Sequence, residues 1–214
     1  MEDTLFQELK IELSEGIYIT YHCRPLQDSM DAMLWQNLSA EEQEAFSQLR
    51  AEKRKIEWCE ARRARSMLKV PMNYRVIHQS LSHSWYGDQG VAAATFLVAA
   101  PGISSSYCGV GIDLEHHARE ISESVRLWLS ESSIEPVLGF EPLQLWSIKE
   151  ACFKADPFQS ATDTIRNYGI ESSTGKASGF AKKKNTETQF HFYLYSWGQW
   201  LVTVATASVP PLAQ

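Results

Sequence analysis

Two carboxylates lie two residues apart near the middle of the chain, in Cys108-Gly-Val-Gly-Ile-Asp-Leu-Glu115. The aliphatic residues alternate with Asp113 and Glu115, so a strand here would place both acids on one face and the aliphatic side chains on the other. Carboxylates this close repel each other, and a hard divalent ion such as Mg²⁺ would relieve the repulsion. A strand that runs out into solvent gives the same pattern, and for this acid pair alone that is the simpler interpretation.

A predicted helix over 142–155 carries the next residues of chemical interest. Trp146, Glu150 and Lys154 recur every four residues and therefore form one stripe. By itself the stripe is typical of a surface salt bridge beside a core tryptophan. Combined with the acid pair, however, Glu150 would supply a third oxygen ligand. Lys154 would then bring positive charge to a phosphate bound by the same metal ion.

Ser82-His83-Ser84 stands at the end of a strand that the sequence predicts over 76–84. Hydroxyls and an imidazole beside free backbone N–H groups can hold a phosphate. An ordinary polar strand end is the alternative interpretation. A serine hydrolase is disfavoured because the chain has no G-x-S-x-G segment.

The composition limits the class of protein. A chain of 214 residues with 44% hydrophobic content can bury one substantial core or two smaller halves. A net charge of −6 argues against general nucleic-acid binding, although residues 50–69 concentrate Arg and Lys, which indicates either a local anion site or a solvated cationic face. The four cysteines lack C-x-x-C spacing, the N-terminal segment is too polar for a signal peptide, and no apolar run reaches membrane-spanning length. We therefore expect a cytoplasmic protein that does not enter the membrane.

The remaining patterns predict an α+β fold. The S-x-x-E capping box Ser39–Glu42 begins a long helix, either continuous or interrupted, that would run to about Leu68. Residues 1–16 have weak periodicity, and 182–185 (KKKN) are interpreted as a solvated loop tip. Strands are predicted over 17–22, 76–84, 90–99, 107–115, 188–195 and 200–207. This order predicts two similar halves, 1–102 and 103–214, each a small antiparallel sheet packed on a long helix.

Val110-Gly-Ile-Asp-Leu-Glu115 followed by Trp146-Ser-Ile-Lys-Glu-Ala-Cys-Phe-Lys154 resembles the paired signature of the 4′-phosphopantetheinyl transferases. Ser82-His83-Ser84 is similar to the family's third motif, and Arg62 stands where a basic residue often precedes that motif. The resemblance extends over residues 38–207 in the same order. The length resembles that of the monomeric, pseudo-dimeric members, which activate the carrier domains of peptide, polyketide and siderophore synthases.

The resemblance implies a reaction in which the 4′-phosphopantetheine arm of coenzyme A moves to a serine of an apo carrier protein and adenosine 3′,5′-bisphosphate is released. It implies that Mg²⁺ is held by Asp113, Glu115 and Glu150. Glu150 is then the candidate general base, acting directly or through a water bound to the metal. Lys154 would hold a phosphate or protonate the leaving group.

The same resemblance implies that Ser82, His83 and Arg62 contact the phosphates of coenzyme A. The adjacent histidines His116 and His117 could suggest a zinc site, but we interpret them as loop residues. The carrier would dock beside the helix that follows the acid pair, on residues Arg119, Ile121, Val125 and Trp128.

Two other classes of function remain open from the sequence. The same three acids could serve a metal-dependent phosphodiesterase or nuclease. A non-catalytic carrier-binding module with a degenerate site is the other alternative, although the intact acids and Lys154 argue against it.

Overall fold

The computed structural model describes residues 7–26, 32–130, 139–173, 175 and 177–209. Residues 1–6, part of the segment judged too polar for a signal peptide, lie outside the described residues. In chain order the elements are β1 (Gln7–Ser14), β2 (Ile17–Pro25), α1 (Ala32–Gln36), α2 (Ala40–Ser47), α3 (Glu52–Met67), β3 (Arg75–Tyr86), β4 (Gln89–Ala99), β5 (Tyr107–His116), α4 (Glu123–Ser130), α5 (Pro142–Ala155), a short 3₁₀ turn (Ile165–Asn167), β6 (Tyr168–Ser173), β7 (Ser178–Lys183), β8 (Gln189–Trp197) and β9 (Trp200–Ser208).

Two antiparallel sheets account for the strands in the described part of the chain. The first has four strands in the order β1-β2-β4-β3, and the second has five in the order β5-β9-β8-β7-β6. Together with one long helix on each sheet, this confirms the predicted α+β fold with two antiparallel halves. The predicted boundary between residues 102 and 103 falls in the connection between β4 and β5.

The layers stack as helix, sheet, sheet, helix. Ala64 of α3 packs on the first sheet, and Ile148 of α5 packs on Phe192 of the second sheet. Between the sheets lies a shared core that includes Ile19 from the first and Ile112 from the second. Each sheet therefore buries both of its faces over much of its area. Among the described residues, no helix is long and apolar enough to cross a bilayer.

The helix signals in the sequence are confirmed locally. The Ser39 hydroxyl accepts the Glu42 N–H, and the Glu42 carboxylate accepts the Ser39 N–H, so the capping box begins α2. The possible interruption is real, since α2 ends at Ser47 and α3 begins at Glu52. Helix α5 has the predicted bounds, with Pro142 in its first turn.

Three local interpretations need correction. The interpretation of 1–16 as weakly periodic is wrong for residues 9–14, where Leu9, Ile11 and Leu13 alternate with polar residues. They belong to β1, which pairs along β2 as an edge strand of the first sheet. Lys183 is not at a solvated loop tip, because it ends β7 and is buried against the carboxylates of Asp156 and Asp163, at 2.8 and 2.7 Å. His116 is not in a loop either, because it is the buried last residue of β5.

Candidate active site

The two halves meet along a polar seam between β3, an edge strand of the first sheet, and β5, an edge strand of the second. His78 Nδ1 lies 3.2 Å from the Val110 nitrogen, and the Ser80 hydroxyl accepts the Ile112 N–H at 3.3 Å. One step further along β3, the Ser82 hydroxyl lies 3.4 Å from Asp113 Oδ1. Side chains of β3 thus take the place of a neighbouring strand for β5. The seam carries the Ser82 motif of the first half to the acid pair of the second.

Glycines in β5 let helix α5 approach the acid pair closely. A Cβ added at Gly111 would lie 2.0 Å from the Ala151 carbonyl oxygen, and one at Gly109 would lie 1.8 Å from that of Ala155. Gly109, Gly111 and the acid pair alternate along β5 and therefore share the face that α5 covers. Because the backbones of α5 and β5 are in close contact here, the side chain of Ser147, one turn before Ala151 on α5, reaches Asp113.

Asp113 is buried at the centre of this arrangement. The Lys154 ammonium donates to Asp113 Oδ1 at 2.7 Å and to the Ser82 hydroxyl at 3.1 Å. The hydroxyl of Ser147, also on α5, donates to Oδ2 at 2.9 Å. Three groups from α5 and β3 thus surround one carboxylate that is only 5% exposed.

Glu115 is 3% exposed, and fewer hydrogen-bond donors contact its carboxylate than contact that of Asp113. Arg119 donates to Oε1, whereas Oε2 is buried and has no hydrogen-bond partner among the described residues. Burial, reinforced by the negative charge of Asp113, raises the pKa of Glu115 to about 7 despite Arg119. A buried carboxylate oxygen without a partner is a position where a cation would be stabilising.

Glu150 lies one turn before Lys154 on α5 and lines the same cavity as the acid pair. Burial raises the pKa of its carboxyl, and the charge of Asp113 adds to the effect. Lys154 acts in the opposite direction. The three predicted metal ligands therefore share one partly desolvated, negatively charged environment.

On the opposite side of the cavity from α5, His83 of β3 lies beside a buried acid, Glu57. Its Nε2 lies 3.0 Å from Glu57 Oε2 on α3 and 3.3 Å from an Arg54 terminal nitrogen. Burial lowers the pKa of His83, and Glu57 opposes that effect. Arg54 itself donates to Glu57 at 3.1 Å. Arg54, His83 and Glu57 thus form one connected group at the rim.

These residues enclose a cavity of about 440 Å³, and an adjoining cleft of about 490 Å³ continues past Arg54 towards Lys53 and Trp85. The Lys53 ammonium lies 4.7 Å from the centre of the Trp85 ring. Of the seven residues predicted as metal ligands, catalytic groups or phosphate contacts, six line the cavity: Ser82, His83, Asp113, Glu115, Glu150 and Lys154.

Arg62 is the exception, since it is not among the described residues that line either space. Its guanidinium donates to Glu42 at 2.9 Å and lies 3.4 Å from the centre of the Trp58 ring. Much of the basic segment is likewise paired with acids, for example Arg63 with Glu60. The segment as a whole is therefore not the local anion site considered above. Among its residues, Arg54 is the one that lines the cavity.

Sequence reasoning missed Ser147 and Glu57, included Arg54 only as one basic residue of the segment 50–69, and placed Arg119 on a carrier surface. Two signals were available. Ser147 lies three residues before Glu150 and shares its side of α5, and Arg119 follows Glu115 by four residues. Arg54 and Glu57 reach the site only because α3 packs beside β3, which no local pattern reveals.

The carboxylate oxygens of Asp113, Glu115 and Glu150 are of the type that a hard divalent ion prefers, although the three side chains are not gathered closely around one position. Within the described ranges, no three His, Cys, Asp or Glu side chains are close enough together to hold a metal ion. Lys154 and Arg119 instead supply the positive charge for the acid pair. Three carboxylates with one unpaired buried oxygen are the hard ligands that Mg²⁺ prefers, in a number that leaves room for water and phosphate.

No family model matches the chain, and no curated protein matches it. Arguments about function therefore depend on the motifs and on the site geometry.

Proposed function

We propose that this protein is a magnesium-dependent phosphopantetheinyl transferase. It would move the 4′-phosphopantetheine arm of coenzyme A to a serine hydroxyl of an apo acyl or peptidyl carrier protein and release adenosine 3′,5′-bisphosphate. One observation carries the proposal: three motifs far apart in the sequence contribute acids, a lysine, a hydroxyl and an imidazole to one cavity between the halves.

Asp113, Glu115 and Glu150 are the proposed magnesium ligands. When bound, the ion supplies positive charge for the diphosphate and the leaving oxygen. The unpaired Oε2 of Glu115 and the raised pKa values of Glu115 and Glu150 support this assignment, because a nearby cation would favour the ionised carboxylates.

Glu150 is the proposed general base. Its carboxylate lines the cavity, in the space that the carrier serine would have to enter. In the transfer, the carrier serine oxygen forms a bond to the phosphorus of the pantetheine phosphate, and the serine proton passes to Glu150. The bond from that phosphorus to the bridging oxygen breaks, and the adenosine bisphosphate leaves with that oxygen.

The cationic and hydroxyl groups would hold the phosphates. The Lys154 ammonium reaches both Ser82 and Asp113, so it is suited to hold a phosphate oxygen or to donate a proton to the leaving oxygen. Ser82 and His83 remain proposed phosphate contacts. Arg54, which lines both the cavity and the adjoining cleft, takes the role that the sequence suggested for Arg62.

The carrier, compartment and assembly state belong to the same proposal. Of the residues predicted to contact the carrier, Arg119 and Ile121 line a further depression of about 280 Å³ beside α4 and α5, whereas Val125 and Trp128 pack against the core. Arg126 also lines this depression, and the two arginines would suit an acidic carrier helix. All four cysteines are free thiols, as expected for a cytoplasmic protein. The two halves already supply both sides of the cavity, so the proposed active form is a monomer.

Mass analysis of intact apo carriers after incubation with the protein, coenzyme A and Mg²⁺ tests the proposal. We expect a phosphopantetheine adduct on at least one carrier of a varied panel. Asp113→Asn should abolish it, whereas Glu171→Gln, an isosteric change of an exposed acid on β6, should not.

Two results would contradict the transferase. Nucleotide released from coenzyme A without any carrier would favour the phosphodiesterase or nuclease. Carrier binding without an adduct across the panel would favour the non-catalytic module.

A further inference from the structure

Two buried hydroxyls lie behind Asp113. Thr203 is directly opposite Asp113 on β9, and Ser147 comes from α5. Both side chains are fully buried, and neither is among the described residues that line the cavity. The Ser147 oxygen lies 2.9 Å from Asp113 Oδ2 and 2.7 Å from the Thr203 hydroxyl oxygen.

The direction of these hydrogen bonds follows from the number of protons. An ionised carboxylate can only accept, so the single hydroxyl proton of Ser147 is donated to Asp113. Ser147 must then accept the proton of Thr203. The order is therefore fixed as Thr203 to Ser147 to Asp113, with no proton left over for a second arrangement.

This order gives the two oxygens of Asp113 different roles. Oδ2 is held by Ser147, away from the cavity. Oδ1 receives the Lys154 ammonium at 2.7 Å and is the oxygen that already holds a cation. Rotation of the carboxylate would break the bond to Ser147 and leave a buried hydroxyl chain without its acceptor, which is costly.

We propose that Ser147 and Thr203 are positioning residues for Asp113, which hold Oδ2 so that Oδ1 is presented to the divalent ion. The inference rests on the proposed function, because it deepens the proposed metal site. Hydrogen-bond partners of metal ligands commonly change metal affinity by roughly 10–100-fold when they are removed. A hydroxyl pair that served only to satisfy buried polar groups would change stability and leave metal affinity alone.

Metal binding measured without coenzyme A or carrier separates these two roles. The probe is Mn²⁺, which takes the same oxygen ligands as Mg²⁺, and the free ion is followed by electron paramagnetic resonance. Urea unfolding of each full-length variant gives its stability. Thr95→Val is the matched control, because Thr95 is also fully buried and its hydroxyl donates to the Thr20 carbonyl in the first sheet and not to an acid of the site.

We expect Ser147→Ala to weaken Mn²⁺ binding by about ten-fold or more. Thr203→Val should weaken it by a smaller factor, because Ser147 can still donate, and Thr203→Ser should restore the wild-type affinity. Thr95→Val should lower stability and leave Mn²⁺ affinity unchanged. If Ser147→Ala does not fold, the comparison of Thr203→Val with Thr203→Ser carries the test.

The outcomes distinguish this inference from the proposed function. Wild-type Mn²⁺ affinity in Ser147→Ala or in Thr203→Val would overturn the positioning role and leave the transferase standing. The expected pattern of affinities without modification of any carrier would contradict the transferase and support the positioning role. A wild-type protein that binds no Mn²⁺ would contradict the metal site and the positioning role together.

Discussion

Glu115 is buried with one carboxylate oxygen unpaired among the described residues, and this environment makes stability depend on pH. Its pKa rises from an ordinary value near 4.5 to about 7, chiefly because it is buried. A carboxyl whose pKa is higher in the folded protein stabilises the fold when protonated. That contribution is complete below about pH 4.5 and is lost as the pH rises through about 7.

Glu115→Gln should remove this dependence, because the amide cannot ionise. In metal-free buffer the variant should gain stability relative to wild type as the pH rises from 4.5 to 8, by up to about 3 kcal/mol. Urea unfolding at several pH values measures the gain. Mg²⁺ should then stabilise wild type more than the variant, and a difference between the two proteins that does not change with pH would contradict the interpretation.

Arg54 and Arg62 allow a direct comparison of what the structure and the sequence each favour. We expect Arg54→Ala to weaken coenzyme A binding by about ten-fold, the effect of losing one charged hydrogen bond. Arg62→Ala should leave that affinity unchanged and lower stability by about 1 kcal/mol, because it loses Glu42 and Trp58. Calorimetric titration with coenzyme A measures both. The reverse result would favour Arg62 over Arg54 as the proposed phosphate contact.

At the residue scale, the sequence predicted those site members that belong to short motifs. Asp113, Glu115, Glu150 and Lys154 could be placed together because strand and helix periodicity fix which side chains share a face. Arg62 could not be judged in this way, because its partner Glu42 is twenty positions away on another helix. Ion pairs between elements depend on packing, and local patterns do not contain that information.

The close contact between α5 and β5 is the main feature at the scale of elements. Ser147, Ala151 and Ala155 recur every four residues, which corresponds to about 6 Å of helix rise. Asp113, Gly111 and Gly109 recur every two residues, about 6.6 Å of strand. The two rows therefore stay in register as they run in opposite directions, and small residues are needed at each contact.

Gly111→Ala should break this register. The new Cβ would lie 2.0 Å from the Ala151 carbonyl oxygen, and backbone cannot move aside as a flexible side chain can. We expect a loss of about 3 kcal/mol, the upper end for overpacked cores, together with weaker metal binding as α5 shifts. Gly169→Ala on β6 is the matched control, since a Cβ there has no neighbour within 4 Å. Equal stability of both variants in urea would argue against the close contact.

Elements with strong signals were predicted well, and those that depend on long-range contacts were not. The bounds of α5 and the capping box of α2 follow from local chemistry. Strand β1 is an edge strand in which Leu9, Ile11 and Leu13 alternate with polar residues, but none of its side chains from Leu9 to Ser14 is buried, and the strand becomes evident from its pairing with β2. Lys183 looked like part of a polar tip because its acidic partners, Asp156 and Asp163, lie some twenty or more residues earlier.

At the scale of the molecule, the sequence predicted two similar halves but not how they meet. The shared core between the sheets and the polar seam both join residues from opposite halves. At the end of the seam, Tyr86 of β3 stacks on His116 of β5, with ring centres 4.0 Å apart. Because the cavity lies across this junction, its geometry depends on both halves being folded.

A shared core predicts that the two halves unfold together. Ile112 of β5 is fully buried among side chains of both sheets, so Ile112→Ala should cost about 2–5 kcal/mol. Amide hydrogen exchange in β4 and in β8 should lose the same protection, since each then reports the same global opening. Val76→Ala, at an exposed position of β3, should change protection in neither strand by more than about 0.5 kcal/mol. Loss of protection in β8 alone would mean that the halves are separate folding units, and the cavity could then open without either half unfolding.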